Sequence, residues 1–346
     1  MRENILEKKL FRKSNIELLR IVLILMIIVL HYFNSEMGGL LGNVAPNSMN
    51  YYLSHFLESV SIVAVNTFIL ITGYFSYRKD KVHFSKAFKL VLMMIFWGII
   101  LSLITILFID HKKIELGDLK TIIRISTSQW FVVIYCILYL QIPFLNKIIN
   151  NINQHSYKVL LSIGIFFFYI WPSFYTKVTL SDGGYGIVNF VYLYFVGAYI
   201  RKYHKEDRKV GKSFVIYLIS SCLVFLFSLK YGKAWDYCFI FTLIGSVAIF
   251  EIFRSLNIKY NPIINKLATY TFAVYLIDVN DFFNKFLYHT LFRSNEYWNS
   301  NSMILNLIIS IVGIYFICIA LDVVRQLIFG KLFKLLVGKI IWEIKA

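Results

Sequence analysis

Ten stretches of this chain are apolar for about the length a helix needs to cross a bilayer, and that leaves few choices of fold. They cover residues 17–34, 58–76, 88–109, 129–146, 157–172, 187–201, 213–230, 237–254, 267–288 and 302–324. In hydrocarbon each backbone N–H and C=O must find its partner within the spanning structure, so runs of this kind become helices. Short connections then pack them side by side. The sequence therefore predicts an all-α fold, a polytopic transmembrane helical bundle of about ten spans. The run at 187–201 is short, and the run at 267–288 is interrupted by Asp278, Asn280 and Asp281. A 58% hydrophobic composition with a mean hydropathy of +0.66 excludes an ordinary soluble domain.

A net charge of +17 would suit a nucleic-acid binder, but the positions of the charges point elsewhere. With the N-terminus inside and ten spans, 26 of the 36 Lys and Arg residues fall on inner segments and 9 on outer ones, Arg20 lying in the first span. Such an asymmetry is the signature of cytoplasmic loops, and it predicts cytoplasmic N- and C-termini. The inner loops include 78–89 and 201–212, and 176–185 is predicted to be outside. The start of the chain has a basic flank and an apolar run, as a signal peptide would. No A-x-A-like site follows, so the first span reads as an uncleaved anchor. Residues 1–325 form one integral membrane domain in this reading, and 326–346, which alternate basic and apolar residues, form an amphipathic cytoplasmic tail. Cys136, Cys222, Cys238 and Cys318 all lie in apolar runs and read as packing residues.

The chemistry concentrates in the first span. Residues 21–30 are apolar without a break, and Arg20 and His31 bracket them. Eleven residues are close to three helical turns, so both side chains share one face about 16 Å apart. Ionisable groups inside a membrane are costly and mark function. His31 is the one histidine within a span, and imidazole is the usual general base near neutral pH. The plainer readings are a snorkelling Arg20 paired with Glu17 and a hydrogen-bonded His31 at the interface. Asp278 is a second intramembrane group, with no partner nearby in sequence. It is predicted to face His31 across the bundle and fix its tautomer. Asp281 and Lys285, four apart, read as a local ion pair. Asn66, Thr67 and Thr72, and then Gln129, Trp130 and Gln141, are further polar groups at depth, a role that helix packing also explains. No metal-ligand spacing, P-loop or serine-hydrolase elbow is present, so no metal is expected. A glycan transporter, flippase or polymerase, with His31 and Asp278 coupling protons, is the rival reading.

Several motifs give the chain a resemblance. NIELLRIVLILMIIVLHYF carries an R-x10-H signature at Arg20 and His31. NTFILITGYFSYRK is similar to FF-x-x-SG-[FY], with Thr72 for Ser and Gly73 and Tyr74 kept. QWFVVIYCILYLQIPFLNKII matches WF-x-x-x-Y…P-x-L-N through Trp130, Phe131, Tyr135, Pro143, Leu145 and Asn146. NFVYLYFVGAYIRKY and YTFAVYLIDVN match two later helices. The chain resembles the acyltransferase-3 family of integral membrane acyltransferases, most of all its bacterial capsule and exopolysaccharide O-acetylating branch. It departs from the family at Asp278, where a His is usual, and at RKDKVHFSKAFK, where relatives carry an Arg-rich motif.

The resemblance implies a bacterial cell-membrane enzyme. It would transfer an acetyl or other acyl group from cytosolic acetyl-CoA to a hydroxyl of a surface polysaccharide or its lipid-linked precursor. His31 and Asp278 would be catalytic. Arg20, Glu17, Asn34, Asn66, Gln129, Trp130 and Tyr135 would bind substrate. Arg20, Arg78 and Lys79 would hold the acyl-CoA phosphates. Direct transfer and an acyl-histidine intermediate both remain open.

Overall fold

Helix α1, Ser14–Phe33, is the hub of the bundle, and thirteen of its twenty residues are buried. Its apolar surface is wider than one face, so it is enclosed by neighbours on several sides. The computed structural model describes residues 13–175, 182–204 and 210–346. The basic arm at 1–12 and the parts of the expected loops at 176–181 and 205–209 lie outside these described residues.

The other principal helices are α2 (Met49–Ser61), α3 (Ala64–Ser76), α4 (Phe84–Ile104), α5 (Leu116–Thr127), α6 (Trp130–Asn151), α7 (Gln154–Ile165), α8 (Ile187–Tyr203), α9 (Val210–Ser228), α10 (Ile240–Ser255), α11 (Thr271–Asp278) and α12 (Met303–Gly338). Helices α2, α3, α10, α11 and α12 all pack on α1. We call the face of the bundle at Ser14 proximal and the face at Phe33 distal.

Eight segments among the described residues are helical, long and apolar enough to cross a membrane, and they fall on eight of the ten expected runs. The chain is an all-α multi-pass membrane protein. Large apolar side chains such as Leu226, Leu305 and Phe316 point outward from the bundle, which suits lipid contact. The remaining two runs are helical with specific differences. The run at 187–201 becomes α8, seventeen residues long. Short as it is, α8 seats tightly on α3, because Gly197 meets the Leu70 carbonyl and Gly73 meets the Tyr194 carbonyl with no room for a Cβ on either glycine. The Gly73 of the second-helix motif is thus a helix-packing residue.

The run at 267–288 is a broken helix. α11 ends at Asp278, and the chain turns before a short helical stretch begins at Phe283. Asn280 causes the restart: its Oδ1 accepts from the backbone N–H of Phe282 at 3.2 Å and of Phe283 at 3.0 Å. The break removes the helical spacing that would join Asp281 to Lys285. Asp281 pairs instead with Arg124, 3.5 Å away.

The last helix, α12, runs unbroken through residue 325 to Gly338. Beyond it, β2 (Glu343–Lys345) pairs antiparallel with β1 (Lys81–His83), the strand that leads into α4. The end of the chain is therefore fastened to the proximal loop that follows α3.

Candidate active site

The face of α1 that carries Arg20, Ile24, Ile27 and His31 forms one wall of a cavity of about 1140 Å³. The spacing is that of a single helical stripe, as the sequence predicts. The volume is above the roughly 300–1,000 Å³ of a single small-molecule pocket. Arg20 stands at its proximal end and His31 toward its distal end.

His31 is set by two neighbours. A turn at residues 34–39 follows α1, and the Gly38 N–H donates to the His31 carbonyl at 3.0 Å. A Cβ on Gly38 would overlap the Tyr32 carbonyl, so this turn needs glycine. On the other side, His31 Nδ1 lies 2.6 Å from Asp278 Oδ2. The second carboxylate oxygen, Oδ1, accepts from the Tyr288 hydroxyl at 2.8 Å. Asp278 is fully buried and does not line the cavity. A carboxylate there would only accept, which would put the proton on Nδ1 and leave the Nε2 lone pair for chemistry. The expected contact between His31 and Asp278 is present, and the carboxylate that lacked a local partner has two distant ones.

The other sequence-selected residues divide. Asn34, Gln129, Trp130 and Tyr135 line the cavity with Arg20 and His31. Asn66 does not: it is fully buried, and its amide donates to the Tyr237 carbonyl at 2.7 Å and accepts from Asn189 at 3.3 Å. Its polarity is spent on joining helices. Glu17 also lies off the cavity, with Oε1 4.0 Å from Arg20 Nε. That Nε is buried with no hydrogen-bond partner among the described residues.

Arg78 and Lys79 lie just past α3 and do not line the cavity themselves. Arg78 is exposed and stacks on the Tyr77 ring. Lys79 Nζ donates to Ser76 Oγ at 2.9 Å. Its ammonium titrates below the usual lysine range, first because surrounding protein desolvates it and then because Lys86 and Arg20 repel it. Asn146, the motif asparagine of α6, donates to the carbonyls of Ser76 at 2.8 Å and Lys79 at 2.9 Å, so it holds the backbone that carries this cation. Lys86 and Arg20 are thus near enough to act on Lys79, and of these three cations Arg20 is the one that lines the cavity.

The distal end holds residues that the sequence reading passes over. Glu58, Arg124, Tyr185, Trp235 and Tyr237 line the cavity there. Glu58 stands at the edge of the expected second span, where an acidic residue passes for an interfacial one. The helix actually begins nine residues earlier, at Met49. Tyr185 and Trp235 come from connections, which carry no periodic signal, and Tyr237 opens the expected run at 237–254 but lies ahead of α10 in the structure. A polar groove of about 590 Å³ adjoins this end and shares Arg124, Asp281 and Lys285 with it. No cluster of three His, Cys, Asp or Glu suited to a metal occurs among the described residues.

Among known proteins, the family described as "Acyltransferase domain", Acyl_transf_3, matches residues 13–323. No curated protein and no solved structure matches the chain.

Proposed function

The chain belongs to the acyltransferase-3 family and is a membrane acyltransferase; from that premise we propose that it moves an acetyl group from cytosolic acetyl-CoA to a hydroxyl of a bacterial surface polysaccharide or its lipid-linked precursor. The observation that carries the reading is the hydrogen-bonded pair of His31 and Asp278, with His31 on the wall of a cavity that has Arg20 at its proximal end.

Acetyl-CoA is a polyanion with a long, narrow arm. Arg20, Lys79 and Lys86 form a cationic mouth of the kind its phosphates need, and an anion there relieves the repulsion that disfavours protonation of Lys79. Arg20 Nε has an unused donor to offer. The 16 Å or so between Arg20 and His31 on the helix gives the arm a path to the base. With the proximal face cytoplasmic, as the loop charges indicate, the donor comes from inside and the acceptor from the distal face.

In the reaction, His31 Nε2 takes the proton of the acceptor hydroxyl as its oxygen attacks the thioester carbonyl carbon. The C–S bond breaks, the thiolate leaves, and the proton on His31 passes to it. Asp278 holds the imidazole in the required tautomer and faces the imidazolium while it lasts, and Tyr288 holds Asp278.

The test uses purified protein in lipid nanodiscs with labelled acetyl-CoA and lipid-linked glycan from the producing strain. Label should move to the glycan as an alkali-labile ester. His31→Ala should keep donor binding and lose transfer. Transfer at the wild-type rate by that variant would remove His31 as the base.

A further inference from the structure

At the distal end of the cavity a carboxyl group is buried without a partner. Glu58 is 8% exposed, it lines the cavity, and its Oε2 has no hydrogen-bond partner among the described residues. A carboxyl in that position costs free energy unless something completes it. No group among the described residues completes it, and several residues that line the cavity with it are aromatic.

Those aromatics are arranged as walls. Trp130 and Tyr237 are stacked, with ring centres 5.8 Å apart and planes at 26°. Tyr185 meets both, at 4.9 Å from Trp130 and 4.8 Å from Tyr237. Trp235 is fixed by a 3.2 Å hydrogen bond from Nε1 to Ser59 Oγ and by the His55 ring at 5.0 Å. The loops that carry the tyrosines are pinned as well. Asn66 holds the Tyr237 carbonyl, and Asn189 holds the Gly184 carbonyl at 2.8 Å, where Gly184 takes a left-handed backbone with φ +87°. The buried amide that sequence reading assigns to substrate binding thus supports the wall and lies behind it. Beside Trp130, Gln129 is the N-cap residue just before α6, and its side chain makes no capping bond.

Flat aromatic faces and a buried acceptor suit two kinds of ligand, a pyranose ring and an organic cation. The other charges of the cavity do not choose between them, because Arg124 and Lys285 share its lining with Asp281 and Glu36 and Arg124 is paired with Asp281. The transfer to a glycan hydroxyl proposed above favours the pyranose, and cations serve as the controls of the test.

We propose that Glu58, Gln129, Trp130, Tyr185, Trp235 and Tyr237 form a subsite for one neutral pyranose ring of the acceptor. The ring's C–H face lies on the indole and phenol faces, and two of its hydroxyls hydrogen-bond to the Glu58 carboxyl group. The identity of the acceptor as a glycan rests on the function proposed above. The subsite accounts for the unpaired carboxyl on its own.

Binding is read by saturation-transfer NMR and by quenching of tryptophan fluorescence on nanodisc-held protein. The probes are methyl glycosides of glucose, galactose and mannose, with choline and glucosamine as cationic controls. Acetyl-CoA binding is measured in parallel. At least one neutral glycoside should bind saturably to wild type and to His31→Ala. Glu58→Leu should weaken it about tenfold or more, a loss of roughly 1.4 kcal/mol or more, and Glu58→Gln and Gln129→Leu should weaken it less. All of them should bind acetyl-CoA as wild type does. Wild type that binds acetyl-CoA but no neutral glycoside overturns the subsite and leaves the acyltransferase reading standing. Choline or glucosamine binding in place of the glycosides overturns it as well. Glycoside binding lost in Glu58→Leu, in a protein with no affinity for acetyl-CoA, keeps the subsite and defeats the donor assignment.

Discussion

The middle and the ends of the cavity differ in how completely their polar groups are satisfied. At the base, His31 Nδ1 meets Asp278, and both Asp278 oxygens are occupied. At the proximal mouth Arg20 Nε has no hydrogen bond, and at the distal end neither does Glu58 Oε2, among the described residues. Buried polar groups are normally paired, because an orphan costs about 1–3 kcal/mol. A protein that pairs the middle and leaves the ends open separates two tasks. On the proposed mechanism the satisfied triplet fixes the geometry of the proton transfer. On the same proposal the open groups are the ones that receive donor and acceptor.

The sharpest way to break this comparison is to damage the satisfied region and ask whether the ends notice. Asp278→Asn removes the acceptor charge, and its amide can present an N–H to Nδ1, which would force the wrong tautomer of His31. Transfer should fall by about 10²–10⁴-fold while acetyl-CoA affinity stays put. Equal losses in rate and in donor affinity would mean that the pair supports the cavity as a whole. Tyr288→Phe is the milder form of the same experiment. It removes one hydrogen bond to a buried carboxylate and should cost roughly tenfold in rate.

Damage to an open end should do the reverse. Arg20→Lys keeps the charge and loses the planar fork, so donor affinity should fall about tenfold with the chemical step unchanged at saturating donor. Because the Lys79 ammonium titrates below the ordinary lysine range, it loses its proton earlier as pH rises, and the mouth loses a charge with it. Acetyl-CoA affinity should therefore decline on the alkaline side, and Lys79→Met should flatten that decline. An affinity that ignores both substitutions would detach the mouth from the donor.

The comparison also explains which parts were legible in the sequence. Length and apolarity give the helices, and helical spacing puts Arg20 and His31 on one face, since both are local properties. Asp278 was legible by cost: a lone carboxylate at depth needs a partner, and His31 was the obvious one. What stayed hidden depends on which helices face each other. Asn66 reads as a candidate ligand until its amide is seen to bind Tyr237, 171 residues away. Asp281 reads as the partner of Lys285 until Asn280 breaks the helix and Arg124, 157 residues away, takes that place. Glu58 is the mirror image, a residue that looks interfacial until its surroundings are assembled.

The smallest expected effect belongs to the end of the chain, and it tests whether the proximal mouth has a scaffold of its own. β2 fastens residues 343–345 to 81–83, directly after Lys79. Three contacts hold the clip: the Phe84 N–H donates to the Trp342 carbonyl at 2.9 Å, Lys81 Nζ to Glu343 Oε2 at 2.9 Å, and His83 Nδ1 lies 3.3 Å from Glu343 Oε1. Asn146 separately holds the backbone at Ser76 and Lys79. The cationic loop is therefore held from both sides, and removal of one should loosen it without freeing it. Truncation after Gly338 should weaken acetyl-CoA binding by a few-fold at most, with the maximal rate unchanged, since His31 and Asp278 belong to other helices. Acid should act in the same direction. The Lys81 contact holds the Glu343 carboxyl below the usual glutamate range. Its favourable contribution is complete above the ordinary glutamate value and is lost as pH falls through the lowered one. Full-length protein should thus approach the truncated form in donor affinity at low pH, and Glu343→Gln should remove that convergence. A truncation that lowers the maximal rate but leaves donor affinity intact would show that the clip serves the satisfied middle of the cavity, and the division between middle and ends would then fail at this point.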